Sequence, residues 1–318
     1  MKYYMGIDLG GTNIAAGVVN EAKEIIAECS VKTHSERGAE PVIDDMAKVA
    51  KMAAEKAGIT FDEVEWVGVG APGIANKATG RIEYSNNIGW DDVPLVAMLE
   101  ERLQKKVYIE NDANAAAYGE YMAGSAKEAD TSVMVTLGTG VGGGVILHNA
   151  IYDGCNFSGA ELGHSVIMLD GRECTCTRKG CLEAYASATG LIQTTREHME
   201  QDRDSKMWEL VGGDLSKVSG RTAFDAMRAG DAAGKAVVDE YIKYLACGIT
   251  NIINTFQPDI LCIGGGISHE GETLLAPLRE IVSREVYSRN SKVNTKIVPA
   301  SLGNGAGIIG AALLGMAN

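Results

Sequence analysis

Residues 158–183 read SGAELGHSVIMLDGRECTCTRKGCLE and bring His164, Cys174, Cys176 and Cys181 into one short stretch. Three thiolates and an imidazole are a ligand set that Zn²⁺ takes tetrahedrally, and a site closed by four protein ligands leaves no open position for water. A metal held in this way builds the chain rather than reacting. The thiols could instead be spare, or could pair as a disulfide, but a tight Cys-x-Cys pair with a third Cys close by fits one metal better than one disulfide. Glu161 and Glu183 place one carboxylate just before this set and one just after it.

The succession Gly-His, Cys-x-Cys, Gly-Cys and Glu resembles the zinc signature of the ROK family (repressors, open-reading-frame proteins, sugar kinases). In that family Gly usually follows the second Cys of Cys-x-Cys. Thr177 stands there in this chain, and a differently shaped turn is expected. The resemblance makes Glu161 and Glu183 candidates for gripping the hydroxyls of a sugar.

A chain of 318 residues is long enough for two domains, because single cores rarely grow beyond roughly 250–300 residues. Its net charge of −13 repels phosphate backbones and anionic membrane faces, which argues against nucleic-acid and membrane partners. An anionic nucleotide stays admissible, since backbone amides and a metal ion can reverse the field locally. The four cysteines outside the zinc stretch, Cys29, Cys155, Cys247 and Cys262, are scattered, and free thiols suit a reducing compartment. The opening MKYYMGIDLGG passes straight into a strand without signal-peptide features, and no apolar run reaches the roughly 18 residues of a membrane helix. A cytoplasmic location is expected.

Residues 3–9 form a β-rich run that breaks at Gly10 and Gly11 and resumes at 14–19, the pattern of a hairpin turned by GGTN. Adjacent glycines let backbone N–H groups approach a phosphate, Thr12 adds a hydroxyl, and Asp8 ends the strand where a hydrated Mg²⁺ could sit; a plain hairpin turn is the alternative. DLGGTN, with Asn13 closing it, resembles the phosphate-1 loop of the actin, hexokinase and Hsp70 superfamily. A helix is expected over 41–57, stopped by Gly58, and a strand over 65–70. In the Asn-rich loop before Asp91 and Pro94, Asn86 or Asn87 could donate to a sugar, or could serve the turn. NIGW there resembles the family's sugar-facing loop.

VYIENDANAAAYGE, residues 107–120, is a short β-branched strand running directly into an Ala-rich helix. Carboxyl ends of strands face the ligand crevice in α/β architectures, so Asn111 and Asp112 should point into it. Asp112 could equally be the helix N-cap. Glu-Asn-Asp before Ala-Asn matches the family motif that carries its catalytic base. A second strand–glycine–strand unit occupies 132–147: Gly138, Gly140 and Gly143 satisfy GxGxxG, yet the glycines return to a strand instead of opening a helix, which excludes a dinucleotide fingerprint. The two units, 8–13 and 138–144, look like halves of a duplicated fold. The segment TTREHMEQDRDSKMWEL reads as one solvated helix, followed by a loop over 212–220. Helices are expected over 236–256, 272–286 and 305–316, with a buried strand emptying into three glycines within 259–268 and a strand at 296–300. Gly265 and Gly266 resemble the family's adenosine-binding turn or are a plain strand-to-helix turn.

Together these motifs occur in the family's order and span nearly the whole chain. The resemblance implies an α/β, actin-like ATPase (ribonuclease H-like) fold of two lobes with an inter-lobe cleft. The smaller lobe is expected at 1–117 plus 303–318 and the larger, zinc-bearing one at 118–302, with the last helix packing on the helix begun by Asp112. It implies ATP-dependent phosphorylation of a hexose at its 6-hydroxyl, glucose first. Asp112 is then the base, and Asn87, Asn111, Glu161, His164 and Glu183 contact the sugar. Asp8 with Gly10, Gly11, Thr12, Asn13, Gly138, Thr139, Gly140, Gly265 and Gly266 would hold MgATP, and structural Zn²⁺ would bind His164, Cys174, Cys176 and Cys181. A homodimer or homotetramer is expected. The alternatives are a ROK kinase for fructose, N-acetylmannosamine or N-acetylglucosamine, or a non-catalytic ROK sugar sensor. ROK repressors carry an N-terminal DNA-binding helix-turn-helix, whereas this sequence begins at the phosphate strand.

Overall fold

A computed structural model describes residues 2–317. In chain order the strands and helices are β1 (Tyr3–Leu9), β2 (Asn13–Asn20), β3 (Ile25–Lys32), α1 (Ala39–Lys56), β4 (Val64–Ala71), β5 (Ile74–Asn76), β6 (Arg81–Ser85), β7 (Trp90–Val93), α2 (Leu95–Leu103), β8 (Val107–Asn111) and α3 (Asp112–Ala123). They continue with β9 (Ser132–Leu137), β10 (Val141–Leu147), β11 (Ala150–Ile151), α4 (Glu183–Ala186), α5 (Ala188–Gln201), α6 (Lys206–Leu210), α7 (Thr222–Arg228) and α8 (Ala232–Phe256). The last elements are β12 (Ile260–Gly264), α9 (Glu272–Glu285), β13 (Lys296–Pro299) and α10 (Gly305–Leu313).

The described chain divides into two compact units, 1–134 with 144–160 and 300–318, and 135–143 with 161–299. The first is built on the sheet β3-β2-β1-β4-β8, with β1, β4 and β8 parallel and β1–β2–β3 antiparallel. Period-2 alternation sends Met5, Ile7 and Leu9 of β1 to one core with α1 and α2, and Tyr4 to another with α10. Both faces of β1 are therefore covered, which is why the strand reads as a continuous apolar run. A three-stranded sheet, β5-β6-β7, adds to this unit.

The Ala-rich α3 has no wide apolar face and packs by close backbone approach to α10. A methyl group on Gly310 would lie 1.7 Å from the Ala115 carbonyl oxygen, and one on Gly119 would lie 2.2 Å from that of Ala306. This is the expected packing of the last helix on the Asp112 helix. Beyond α3, the buried Glu120 accepts from the N–H groups of Ser125 (2.8 Å), Ser301 (2.9 Å) and Leu302 (2.7 Å), tying the returning chain to the helix end.

The second sheet has the order β11-β10-β9-β12-β13 and repeats the arrangement of the first: a glycine hairpin followed by two further strands on one side. In the second unit α8 carries the buried Tyr241, whose hydroxyl donates to the Ala186 carbonyl at 2.8 Å. Two details depart from expectation. The segment read as one solvated helix breaks between Gln201 and Lys206, because Ser205 caps α6 by accepting from Met207 N–H and donates its own hydroxyl to Asp231 at 2.8 Å. The glycines after β12 lead into a 3₁₀ turn, Gly266–Glu270, before α9 starts. Among the described residues no helix is long and apolar enough to cross a membrane.

Candidate active site

In the first unit, hydrogen bonds occupy carbonyls of the glycine turn. Gly10 N–H closes the hairpin on the Asn13 carbonyl at 2.9 Å. The fully buried Thr33, at the end of β3, donates its hydroxyl to the Gly10 carbonyl (2.6 Å) and its N–H to that of Thr12 (3.0 Å). The N–H groups of Gly11 and Thr12 then have no partner among the described residues, which is the donor arrangement an anion needs. Asn87 is exposed beside this turn; a methyl on Gly11 would sit 3.8 Å from its carbonyl oxygen.

Asp8 is in register with Gly70 on β4, and Gly70 with Glu110 on β8, so Asp8 and the end of β8 flank a residue without a side chain. Asn111, not Asp112, is the N-cap of α3. Its Oδ1 accepts the N–H of Ala113 (2.9 Å) and of Asn114 (3.2 Å), and its Nδ2 donates to the Gly73 carbonyl (3.1 Å). The cap alternative for Asp112 thus passes to its neighbour. Asp112 keeps local backbone contacts, from Ala113 N–H to Oδ1 at 2.9 Å and from its own N–H. Burial raises the Asp112 carboxyl above its ordinary value. Burial, and then the charge of Asp112, push Asp8 up to about 6. Two carboxylates resisting ionisation side by side are the setting a divalent cation relieves.

Behind them lies a group that sequence reasoning missed. Glu110 is buried, accepts from Asn111 N–H (2.8 Å) and Asn114 Nδ2 (3.1 Å), and faces Lys77 at 3.5 Å; Lys77 also pairs with Asp153. Burial and Asp153 raise the Glu110 carboxyl. The cluster stiffens the turn that presents Asp112. Lys77 and Asp153 lie too far away in sequence for any local pattern to join them to it.

The second unit treats its glycine turn in the same way. Gly138 N–H bonds to the Gly140 carbonyl (3.0 Å), while the Gly138 and Thr139 carbonyls accept from Ala188 N–H (2.8 Å) and the Thr189 hydroxyl (2.8 Å). The N–H groups of Thr139 and Gly140 have no partner among the described residues. Glu183 spans two features: its Oε2 accepts Val141 N–H at 2.9 Å, and its Oε1 accepts the Thr175 hydroxyl at 2.9 Å. Glu161 is exposed and leads into the short 3₁₀ turn Leu162–His164. Gly265, with φ +82°, lies where a methyl would come within 2.5 Å of the Leu137 carbonyl oxygen, so only glycine fits against the end of β9.

His164, Cys174, Cys176 and Cys181 converge, with their ligand atoms all within 4.8 Å of one another. Cys176 and Cys181 are 3.7 Å apart at sulfur, and Cys174 Sγ lies 3.5 Å from His164 Nδ1. Tetrahedral Zn–S and Zn–N bonds of ordinary length imply edges of about 3.8 and about 3.6 Å, so the set fits that ion, whereas a disulfide would need sulfurs at about 2 Å. Thr177 takes φ +71°, the left-handed conformation that glycine adopts without strain, so the turn keeps a glycine-like shape and does not find another.

Comparison with known proteins bears on this arrangement. The ROK family matches residues 4–317. A glucokinase of Thermotoga maritima is 39% identical over 310 residues, covering 97% of this chain and 95% of that protein. A putative xylose repressor of Caldicellulosiruptor sp. is 31% identical, covering 89% of this chain and 70% of the repressor. The crystal structure of a ROK family glucokinase from Streptomyces griseus, in complex with glucose and AMPPNP, superposes with a TM-score of 0.83 at 34% identity, covering 98% of each chain. The fold is the two-lobed, α/β actin-like ATPase fold of the ROK sugar kinases. With the match running from residue 4 to residue 317, this chain belongs to the ROK family.

Proposed function

We propose that this protein is an ATP-dependent hexokinase that phosphorylates D-glucose at the 6-hydroxyl. The observation that carries the reading is Asp112: it stands at the carboxyl end of β8, is released from capping by Asn111, and has a carboxyl raised by burial toward the pH at which it must work. A base of this kind orients the attacking hydroxyl and takes its proton as the new bond to phosphorus forms. Because the transition state of phosphoryl transfer is loose, positioning and charge neutralisation carry most of the remaining catalysis. The free amides of Gly11, Thr12, Thr139 and Gly140 hold phosphate oxygens, Gly265 and Gly266 border the adenosine, and Asp8 binds Mg²⁺, which supplies positive charge to the phosphates. The similarity to glucokinases along the whole chain supports glucose as the acceptor and ATP as the donor.

Asn87, Asn111, Glu161, His164 and Glu183 contact the sugar hydroxyls in this reading. Asn111 does so with its one remaining amide hydrogen, since its oxygen is spent on the cap. Zn²⁺, held by His164 Nδ1 and the three thiolates, is structural and leaves the Nε2–H of His164 to donate outward. Sites that hydrogen-bond a hydroxyl reject analogues lacking it. Coupled ADP release across a panel of hexoses tests the substrate. Glucose is expected to give the highest kcat/KM, with 2-acetamido sugars poorer and 6-deoxyglucose unreactive. If N-acetylmannosamine, N-acetylglucosamine or fructose were preferred, the assignment to glucose would fall and the kinase reading would stand.

A further inference from the structure

The x of Cys-x-Cys is not a bystander. Thr175 lies between Cys174 and Cys176, and its hydroxyl donates to Glu183 Oε1 at 2.9 Å. The other oxygen of the same carboxylate accepts Val141 N–H at 2.9 Å, and it lies so close over the glycine turn that a methyl on Gly140 would meet it at 2.3 Å. The residues that follow Glu183 grip the rest of that turn, Ala188 at the Gly138 carbonyl and Thr189 at the Thr139 carbonyl. One carboxylate therefore joins the cysteine turn to the second glycine loop, with each oxygen used on one side.

We infer that Thr175 is a positioning residue for the nucleotide: through Glu183 it fixes Val141 and the free amides of Thr139 and Gly140, so that the order of the cysteine turn is read in the affinity for phosphate. The inference rests on the reading of Gly138–Gly140 as a phosphate loop. A carboxylate bridging two loops is held best when both oxygens carry a donor. Without the Thr175 hydroxyl, Oε1 of Glu183 keeps only the long contact from Cys174 Sγ at 3.7 Å beside the Val141 bond of Oε2, and the carboxylate can rotate over Gly140. The charged hydrogen bond is of the strong class, and part of its loss reaches the loop.

Thr175→Val removes the hydroxyl and keeps the shape, and Thr175→Ser keeps the hydroxyl. Titration of AMPPNP into the folded proteins reads phosphate-loop binding without turnover, and zinc analysis of the same samples reads the cysteine turn. Thr175→Val is expected to retain its zinc, bind AMPPNP about 10-fold more weakly and raise the KM for ATP more than it lowers kcat, with Thr175→Ser close to the parent. A purely structural Thr175 would lower the melting temperature and leave the AMPPNP affinity of the folded protein alone, which overturns the inference. Loss of zinc from Thr175→Val also overturns it, by making the residue part of the metal turn and not a link from it; so does a Thr175→Ser protein as weak as the valine variant. A parent protein that binds no AMPPNP would instead remove the kinase reading on which the inference stands.

Discussion

The exchange of capping duty between Asn111 and Asp112 is the residue-scale observation on which the proposed chemistry rests. A neutral amide satisfies the helix N-terminus, and the charged neighbour is left with local backbone contacts from Ala113 and from its own N–H. Burial disfavours that charge, so the kcat/KM of the parent enzyme is expected to fall on acidification with a midpoint above the ordinary aspartate value, measurable as a pH–rate profile. The same shift has an opposite consequence for stability. A carboxyl raised in the folded state favours folding below its unfolded value and loses that contribution as pH rises through the folded one. Asp112→Asn is therefore expected to melt higher than the parent at pH 8, with the difference shrinking toward pH 4. Thr177 stores strain of another kind, a β-branched residue at φ +71°. Thr177→Gly should stabilise by about 1 kcal/mol in urea melts, the relief of left-handed strain less the backbone entropy of glycine.

At the scale of elements, what could be read from the sequence was what is local. The hairpin of β1 and β2 followed from a β-rich run broken by two glycines, and its register, Leu9 opposite Ile14, leaves GGTN as little more than the turn. Its fastening could not be read. Thr33 and Thr189 sit in segments remote from the loops they hold, and a threonine that donates to a distant carbonyl looks like any other. The break between α5 and α6 went unread for a related reason: Ser205 is a local cap signal, but its partner Asp231 is not local. The four candidate zinc ligands, close in sequence, also converge in space. Cys176→Ser should lose the metal and lower the melting temperature by at least about 5 °C, since a closed structural site contributes directly to folding; elemental analysis and thermal melts on one sample decide it.

At the scale of the whole molecule, two sheets of like order each open on a glycine hairpin in which carbonyls are occupied and two amides, those of Gly11 and Thr12 or of Thr139 and Gly140, have no partner among the described residues. The duplication was visible in the glycine spacing, and the α3–α10 contact was expected only through the family resemblance, because a helix of small residues does not say what it packs against. That contact tolerates no bulk. Gly310→Ala is expected to cost at least about 2 kcal/mol in denaturant melts, with its methyl 1.7 Å from the Ala115 oxygen. The central claim is that the chain moves a phosphoryl group with Asp112 as base. The most direct measurement is ADP release from MgATP with glucose, the parent protein beside Asp112→Asn, with glucose binding checked on both. The account predicts turnover by the parent and a fall of at least about 100-fold in the variant, which still binds the sugar. Near-parental turnover by Asp112→Asn, or none by the parent, would contradict it.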